Sequence, residues 1–316
     1  MCQDQSPPVF KDSVYIGLRG NLDKLLMCRL LAVNMEWSGD VGIITGRYVS
    51  LDNSTILELW ARAKTGESVL LRIEGLDPWF EVTPTGRWTD QREVSTDYLL
   101  DFDEIEKVTG PEMKLTDLGL KPVWKIFVKQ PFMVPKIRKD LAGRWTILSG
   151  DIPYVNRFFL DGDFGMHVTV KGEVCPTEHP VDICLKIEMG DVEHCDPFPT
   201  PFIVFSFDLE TSIAHNTILC AAVVIEDMAD ESRTHHTFVG EEEEILLGLT
   251  DLIRKRDPDI ITGYNIDNFD MPRIVDRANL IAGRDKLLKS ELMGWGRVSI
   301  DEQSRRRDTQ YPVRGT

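Results

Sequence analysis

Asp208, Glu210 and Asp270 are the residues of this chain best suited to doing chemistry together. Asp208 and Glu210 follow the apolar, aromatic and β-branched run Pro201-Phe202-Ile203-Val204-Phe205-Ser206-Phe207, which reads as a buried central strand. Strand side chains alternate, so the two acids share one face while Leu209 packs on the other. Two carboxylates side by side repel unless a hard cation lies between them, and oxygen ligands of this kind suit Mg²⁺ or Mn²⁺. A third acid would complete what a two-metal phosphodiester-cleaving site requires. The spacing by itself is not specific, because Asp191-Val192-Glu193 repeats it in what reads as a polar loop.

The third acid comes from a second segment. Asp257-Pro258-Asp259-Ile260-Ile261-Thr262-Gly263-Tyr264 reads as a short buried strand entered from a proline turn. Asn265-Ile266-Asp267-Asn268-Phe269-Asp270 follows, then Met271-Pro272-Arg273-Ile274-Val275 opens a helix. Asp270 is placed either to cap that helix, with Pro272 in its first turn, or to hold metal. Asn265 and Phe269 carry the same duality, as turn and core residues or as substrate contacts.

The elements that must position these groups divide the chain into two domains, as 316 residues allow. Residues 1–30 form an extension with a short helix expected around Leu22 to Leu31. Residues 31–195 read as a β-rich domain of many short strands, among them Val69 to Ile73 and Val123 to Val128, with one helix from Val134 to Arg144. The Pro-rich stretch Asp196 to Pro201 is a stiff boundary. From 196 to 316 the order is strand (202–209), strand (217–226), strand (233–239), helix (241–256), strand (259–264) and helix (271–282). The acidic run Glu241 to Glu244 falls at the start of the first of these helices, where it complements the helix dipole. The fold class is therefore α/β in the α+β sense.

Together these segments resemble family B DNA polymerases, most closely the archaeal type. The family's first exonuclease motif, Phe-Asp-x-Glu-Thr, stands at Phe207 to Thr211, and its second, Tyr-Asn-x-x-x-Phe-Asp, at Tyr264, Asn265, Phe269 and Asp270. The run Asp257 to Ile261 also matches. Upstream, Lys121 to Ile126, Val134 to Arg138, Asp151 to Tyr154 and Arg157 to Asp161 resemble the family's N-terminal domain, so the likeness covers most of residues 30–316. It implies a ribonuclease H-like mixed sheet behind a β-rich N-terminal domain, and two-metal 3′→5′ proofreading hydrolysis of DNA. Asp208, Glu210 and Asp270 become the ligands of two Mg²⁺ or Mn²⁺ ions. Leu209, Thr211, Asn265 and Phe269 become contacts to the 3′-terminal nucleotide. Implied partners are a single-stranded 3′ end, the template strand, the remainder of the polymerase and a sliding clamp.

The third motif of the family, a Tyr with an Asp four residues on, is not found. Tyr311 is followed at that distance by Gly315, and neither Asp301 nor Asp308 has a Tyr four places before it. Gly294 to Arg297 resembles the connector before that motif. The expectation is a fragment of a longer polymerase or the first piece of a split one, with no polymerase domain and no complete nuclease of its own. A second function of a different class is a non-catalytic module that captures uracil in single-stranded template. The resemblance assigns its pocket to Trp37, Pro78, Val134, Pro135 and Tyr154.

Composition agrees with a protein that works in the cytoplasm. Acidic side chains number 52 against 36 basic ones, a formal charge of −16, which suits a carboxylate-lined site or a salt-adapted host better than broad phosphate contact. Arg305-Arg306-Arg307 is the basic stretch available to touch DNA. The six cysteines form no Cys-x-x-Cys and read as reduced thiols. The apolar stretch Ile218 to Ile225 is far short of the roughly 20 residues a membrane helix needs, and Met1 leads into no signal peptide.

Overall fold

The computed structural model describes residues 35–51, 54–85 and 95–297; the helix expected at Leu22 to Leu31 and the Arg305-Arg306-Arg307 stretch lie outside them. The first part of the chain runs β1 (Glu36–Leu51), β2 (Ser54–Ala63), β3 (Ser68–Glu74), β4 (Trp79–Pro84), α1 (Thr96–Leu100), β5 (Ile105–Thr116), β6 (Gly119–Val128), α2 (Val134–Leu141), β7 (Trp145–Leu148), α3 (Tyr154–Asp161), β8 (His167–Val174), β9 (Ile183–Glu188) and β10 (Val192–His194). The second part runs β11 (Ile203–Thr211), β12 (Ile218–Asp227), β13 (Ser232–Val239), α4 (Glu242–Arg256), β14 (Ile260–Thr262), α5 (Asp270–Ala282) and α6 (Lys286–Met293).

Length and alternation turn the first sheet into a barrel. The order is β1-β2-β3-β9-β8-β10, and β1 also pairs with β8, so five strands close on themselves. β1 serves both neighbours because it is 16 residues long: Glu36 to Gly42 pair with β8 and Val41 to Leu51 with β2, across an irregularity between Ile43 and Thr45. Closure leaves those strands no open edge. The inward residues, including Val41, Leu57, Leu59, Val69, Leu71, Val170 and Leu185, form one core, sealed at an end by Tyr154 and Phe158 of α3.

A separate four-stranded sheet, β5-β6-β4-β7, buries Phe80, Val82, Trp124 and Ile126 against Leu99 of α1 and Ile137 and Leu141 of α2. The expected helix from Val134 to Arg144 stops at Leu141, and Ala142 turns out of helical geometry. Asp191-Val192-Glu193, expected as loop, spans the end of a short 3₁₀ turn and the start of β10.

The third sheet, β13-β12-β11-β14, is mixed: β11–β12 and β12–β13 are antiparallel and β11–β14 is parallel. Phe205, Phe207 and Leu209 point from β11 into a core made with Ile245, Leu249 and Ile253 of α4, Met271, Ile274 and Ala278 of α5, and Leu292 of α6. The alternation expected of β11 is therefore present, with helices on one face of the sheet. Trp295, fully buried, donates its indole N–H to Thr250 Oγ1 at 2.8 Å and locks the segment after α6 onto α4. The acids at the head of α4 do more than meet the dipole. Glu242 forms a bidentate pair with Arg277 of α5 at 2.6–2.7 Å and accepts the Ile218 N–H at 2.7 Å. Among the described residues no helix is long and apolar enough to cross a membrane.

Candidate active site

Two sequence segments meet because β14 is short. Its three residues pair with Val204, Phe205 and Ser206 of β11 and then stop, so β11 runs on without a neighbour on that edge. Gly263 follows, so close to β11 that a Cβ there would lie 2.4 Å from the Phe207 carbonyl oxygen. The next residues turn sharply. Asn265 adopts a left-handed φ of 57°, its carbonyl accepts the N–H groups of Asn268 and Phe269, and its side-chain oxygen accepts from the Asn268 amide at 2.9 Å. That turn delivers Asp270 to the open edge, where its Oδ1 accepts the Leu209 N–H at 3.1 Å.

Asp270 is thus not the helix cap of the sequence reading. Phe269 occupies the cap position and Asp270 is the first helical residue, its carboxyl turned to β11. Only 1% of Asp270 is exposed. Burial pushes its carboxyl above the ordinary value, the Leu209 N–H opposes that, and the charge of Asp208 adds to the rise. Asp208 and Glu210 both lie exposed on the side of β11 opposite Leu209. Two of the three expected acids therefore interact, and the third stands one alternation further along the same face. Among the described residues no three acidic, His or Cys side chains are gathered closely enough to enclose a metal ion. The donors that do converge are all carboxylate oxygens, one of them desolvated beside a like charge, and that chemistry fits a hard divalent cation.

The residues expected to touch substrate divide. Phe269 is 42% exposed with Arg273 5.7 Å from its ring centre, and Asn265 and Tyr264 are exposed on the same turn. Leu209 differs from the expectation: its side chain belongs to the core, and its contribution is the N–H taken by Asp270. Thr211, half-buried, ends β11 just past an irregularity in its pairing with β12.

The residues expected of the uracil pocket belong to two different cores. Trp37 and Tyr154 pack with the barrel core, whereas Val134 packs with the β5-β6-β4-β7 core and Pro135 is exposed. The Tyr154 hydroxyl donates to the Leu76 carbonyl, two residues before the buried Pro78, and burial raises its pKa. Sequence reading passed over the neighbour of Pro78. Trp79 lies between Lys125 at 3.6 Å and Arg157 at 3.7 Å, and its indole N–H reaches Asp161 at 2.6 Å. An aromatic at an outward strand position with a Lys at an outward position of the next strand was the available signal.

The fold has a counterpart among solved structures. It matches the solved family B DNA polymerase of Pyrobaculum calidifontis with a TM-score of 0.62, over 77% of this chain and 32% of that one, at 20% identity. Residues 222–315 match the family model described as "DNA polymerase family B, exonuclease domain". That part of the chain is similar to the family's exonuclease domain. Asn265, Phe269 and Asp270 lie within the matched residues, and Asp208 and Glu210 lie just before them. Among curated relatives, the DNA polymerase of Archaeoglobus fulgidus is 24% identical over 259 residues, 77% of this chain and 31% of that protein. DNA polymerase 1 of Pyrococcus abyssi is 28% identical over 206 residues, 58% of this chain and 24% of that one. The DNA polymerase catalytic subunit of Saimiriine herpesvirus 2 is 27% identical over 277 residues, 73% of this chain and 27% of that one. This chain spans about a third of the length of its relatives or less.

Proposed function

We propose that the β11–α5 site performs metal-dependent 3′→5′ hydrolysis of DNA, in a domain extending from about residue 196. The observation that carries this reading is the Asp270 carboxyl, buried at a helix start, pinned by the Leu209 N–H and set against Asp208. Asp208, Glu210 and Asp270 are the residues that would hold divalent ions, Mg²⁺ or Mn²⁺. Such ions, when bound, supply a water acidified enough to attack at neutral pH and stabilise charge on the phosphate.

The chain's own groups do the rest. Asp270 must be ionised to hold a cation. The Leu209 N–H holds the carboxyl against β11. Asn265 and Phe269, on the exposed turn, offer a hydrogen-bonding amide and an apolar ring to the terminal nucleotide. The deciding experiment measures Mn²⁺-dependent release of nucleotides from a 3′-labelled single strand by the complete protein. Asp208→Ala and Asp270→Ala should each lower kcat about 10³-fold, the loss of several kcal/mol of transition-state stabilisation. Undiminished release in both variants refutes the assignment.

Residues 31–195 are read as the domain that meets template strand, with the remainder of a longer polymerase and a sliding clamp as further partners in the cytoplasm. Capture of uracil is tested by comparing uracil- and thymine-containing single strands; equal binding removes the pocket.

A further inference from the structure

We infer that Arg62, a residue of the N-terminal barrel, is a positioning residue for the carboxylate site. The inference rests on the nuclease reading. Arg62 is the last residue but one of β2, opposite Gly42 of β1 and Ser68 of β3, so its backbone is held on both sides. Its guanidinium reaches out of the barrel into the exonuclease sheet. Nε donates to both Asp259 oxygens at 3.0 and 2.9 Å, Nη2 donates to the Asp257 carbonyl at 3.0 Å, and Nη1 donates to the Gly66 carbonyl at 2.8 Å.

Asp259 is the hub. Its side chain has no exposed surface and receives Arg297 Nη2 at 2.8 Å and the Ile203 N–H at 2.9 Å as well as Arg62. Its own N–H donates to the Ile203 carbonyl at 2.9 Å. Asp259 therefore clamps the residue before β14 to the first residue of β11. Arg297 completes the clamp on Asp257, with Nε to Oδ1 and Nη2 to the carbonyl, both at 3.0 Å.

A clamp at this point governs the chemistry at the other end of the strand pair. β14 has only three ladder residues to define its register on β11. A slip of one residue would carry the following turn about 3.3 Å along β11 and take Asp270 off the Leu209 N–H. Smaller displacements matter too, since about 1 Å at a reacting centre can cost about 10²-fold in rate. Arg62 supplies one of the two guanidinium groups paired with the buried Asp259 side chain, its Nε shared between both carboxylate oxygens. A lysine at this site keeps the charge and loses the fork.

The test uses the complete protein and the variants Arg62→Lys and Arg62→Ala, with Leu71→Ala as a control that lowers stability from inside the barrel. The readouts are kcat and KM for Mn²⁺-dependent release from a short 3′-labelled strand, and hydrogen exchange at the Leu209 amide. The expected result is a kcat about 10-fold lower in Arg62→Lys and about 100-fold lower in Arg62→Ala, with KM nearly unchanged. Leu209 exchange should quicken in both, and Leu71→Ala should show neither effect. If Arg62→Ala does not fold, Arg62→Lys decides. Unchanged kcat and exchange in a folded variant, or the same losses in Leu71→Ala, overturn the inference. If the wild-type protein releases no nucleotide, the nuclease reading fails, and Leu209 exchange alone still decides whether Arg62 positions Asp270.

Discussion

The strand pair β11–β14 has acids at both ends, and the two ends are built on opposite principles. At the start, Asp257 and Asp259 are met by two arginines and the Ile203 N–H at 2.8–3.0 Å. Burial works against the Arg297 charge, but the two carboxylates outweigh it and raise its pKa. At the far end, Asp270 is equally buried, faces a like charge in Asp208, and takes one backbone N–H from β11. One end is neutralised from within the chain. The other has a surplus of negative charge that a cation from solution would complete. Buried acids with full partners hold folds together, whereas acids whose environment disfavours their charge mark sites of function.

If that contrast is right, substitutions at the two ends must act on different quantities. The largest effect belongs to the satisfied end. Asp259→Ala strands two buried guanidinium groups and should cost about 3–5 kcal/mol in denaturant unfolding. Asp208→Ala relieves repulsion and should leave stability equal or higher. A large stability loss in Asp208→Ala would break the comparison. Next comes cation binding: at about a hundred times its Kd, Mn²⁺ should stabilise the protein by about 2.7 kcal/mol in a thermal scan. The gain should vanish in Asp270→Ala and persist in Asp257→Asn.

Gly263→Ala probes the junction between the ends. Its Cβ would meet the Phe207 carbonyl oxygen at 2.4 Å, so overpacking should cost about 1–3 kcal/mol and lower nuclease kcat as Asp270 shifts. Full activity in a folded Gly263→Ala would show that the turn tolerates movement. The smallest effect is a pH dependence without metal. Because the folded-state pKa of Asp270 is raised, the fold favours its protonated form. That contribution is complete below the ordinary value of 3.8 and is lost as pH rises through the raised value. In chelator, the melting temperature should therefore decline across that window, and Asp270→Asn should flatten the decline.

The strand carrying the first motif was legible because Phe205, Phe207 and Leu209 alternate with Ser206, Asp208 and Glu210, a pattern that only a half-buried strand satisfies. The helix expected over 241–256 was legible too, and Ile245, Leu249 and Ile253 recur at helical period on its buried face. Less of the site could be read. Asp270 read as cap or ligand, and the cap reading gave way to a bond with the Leu209 N–H, which β14 leaves uncovered by ending at Thr262. Glu242 read as a dipole partner and proved to tie α4 to α5 and β12. Leu209 and Tyr154, named for substrate or ligand, have side chains committed to cores.

By itself, then, the sequence determined the elements, the convergence of two motifs and the oxygen-only character of the donors. Those depend on local periodicity and residue type, which the chain carries wherever it is. The tertiary structure decided which acids are paired with arginines and which face another carboxylate. Arg62 and Asp259 are separated by nearly two hundred residues, and only the closed barrel beside the mixed sheet brings that guanidinium to that carboxylate.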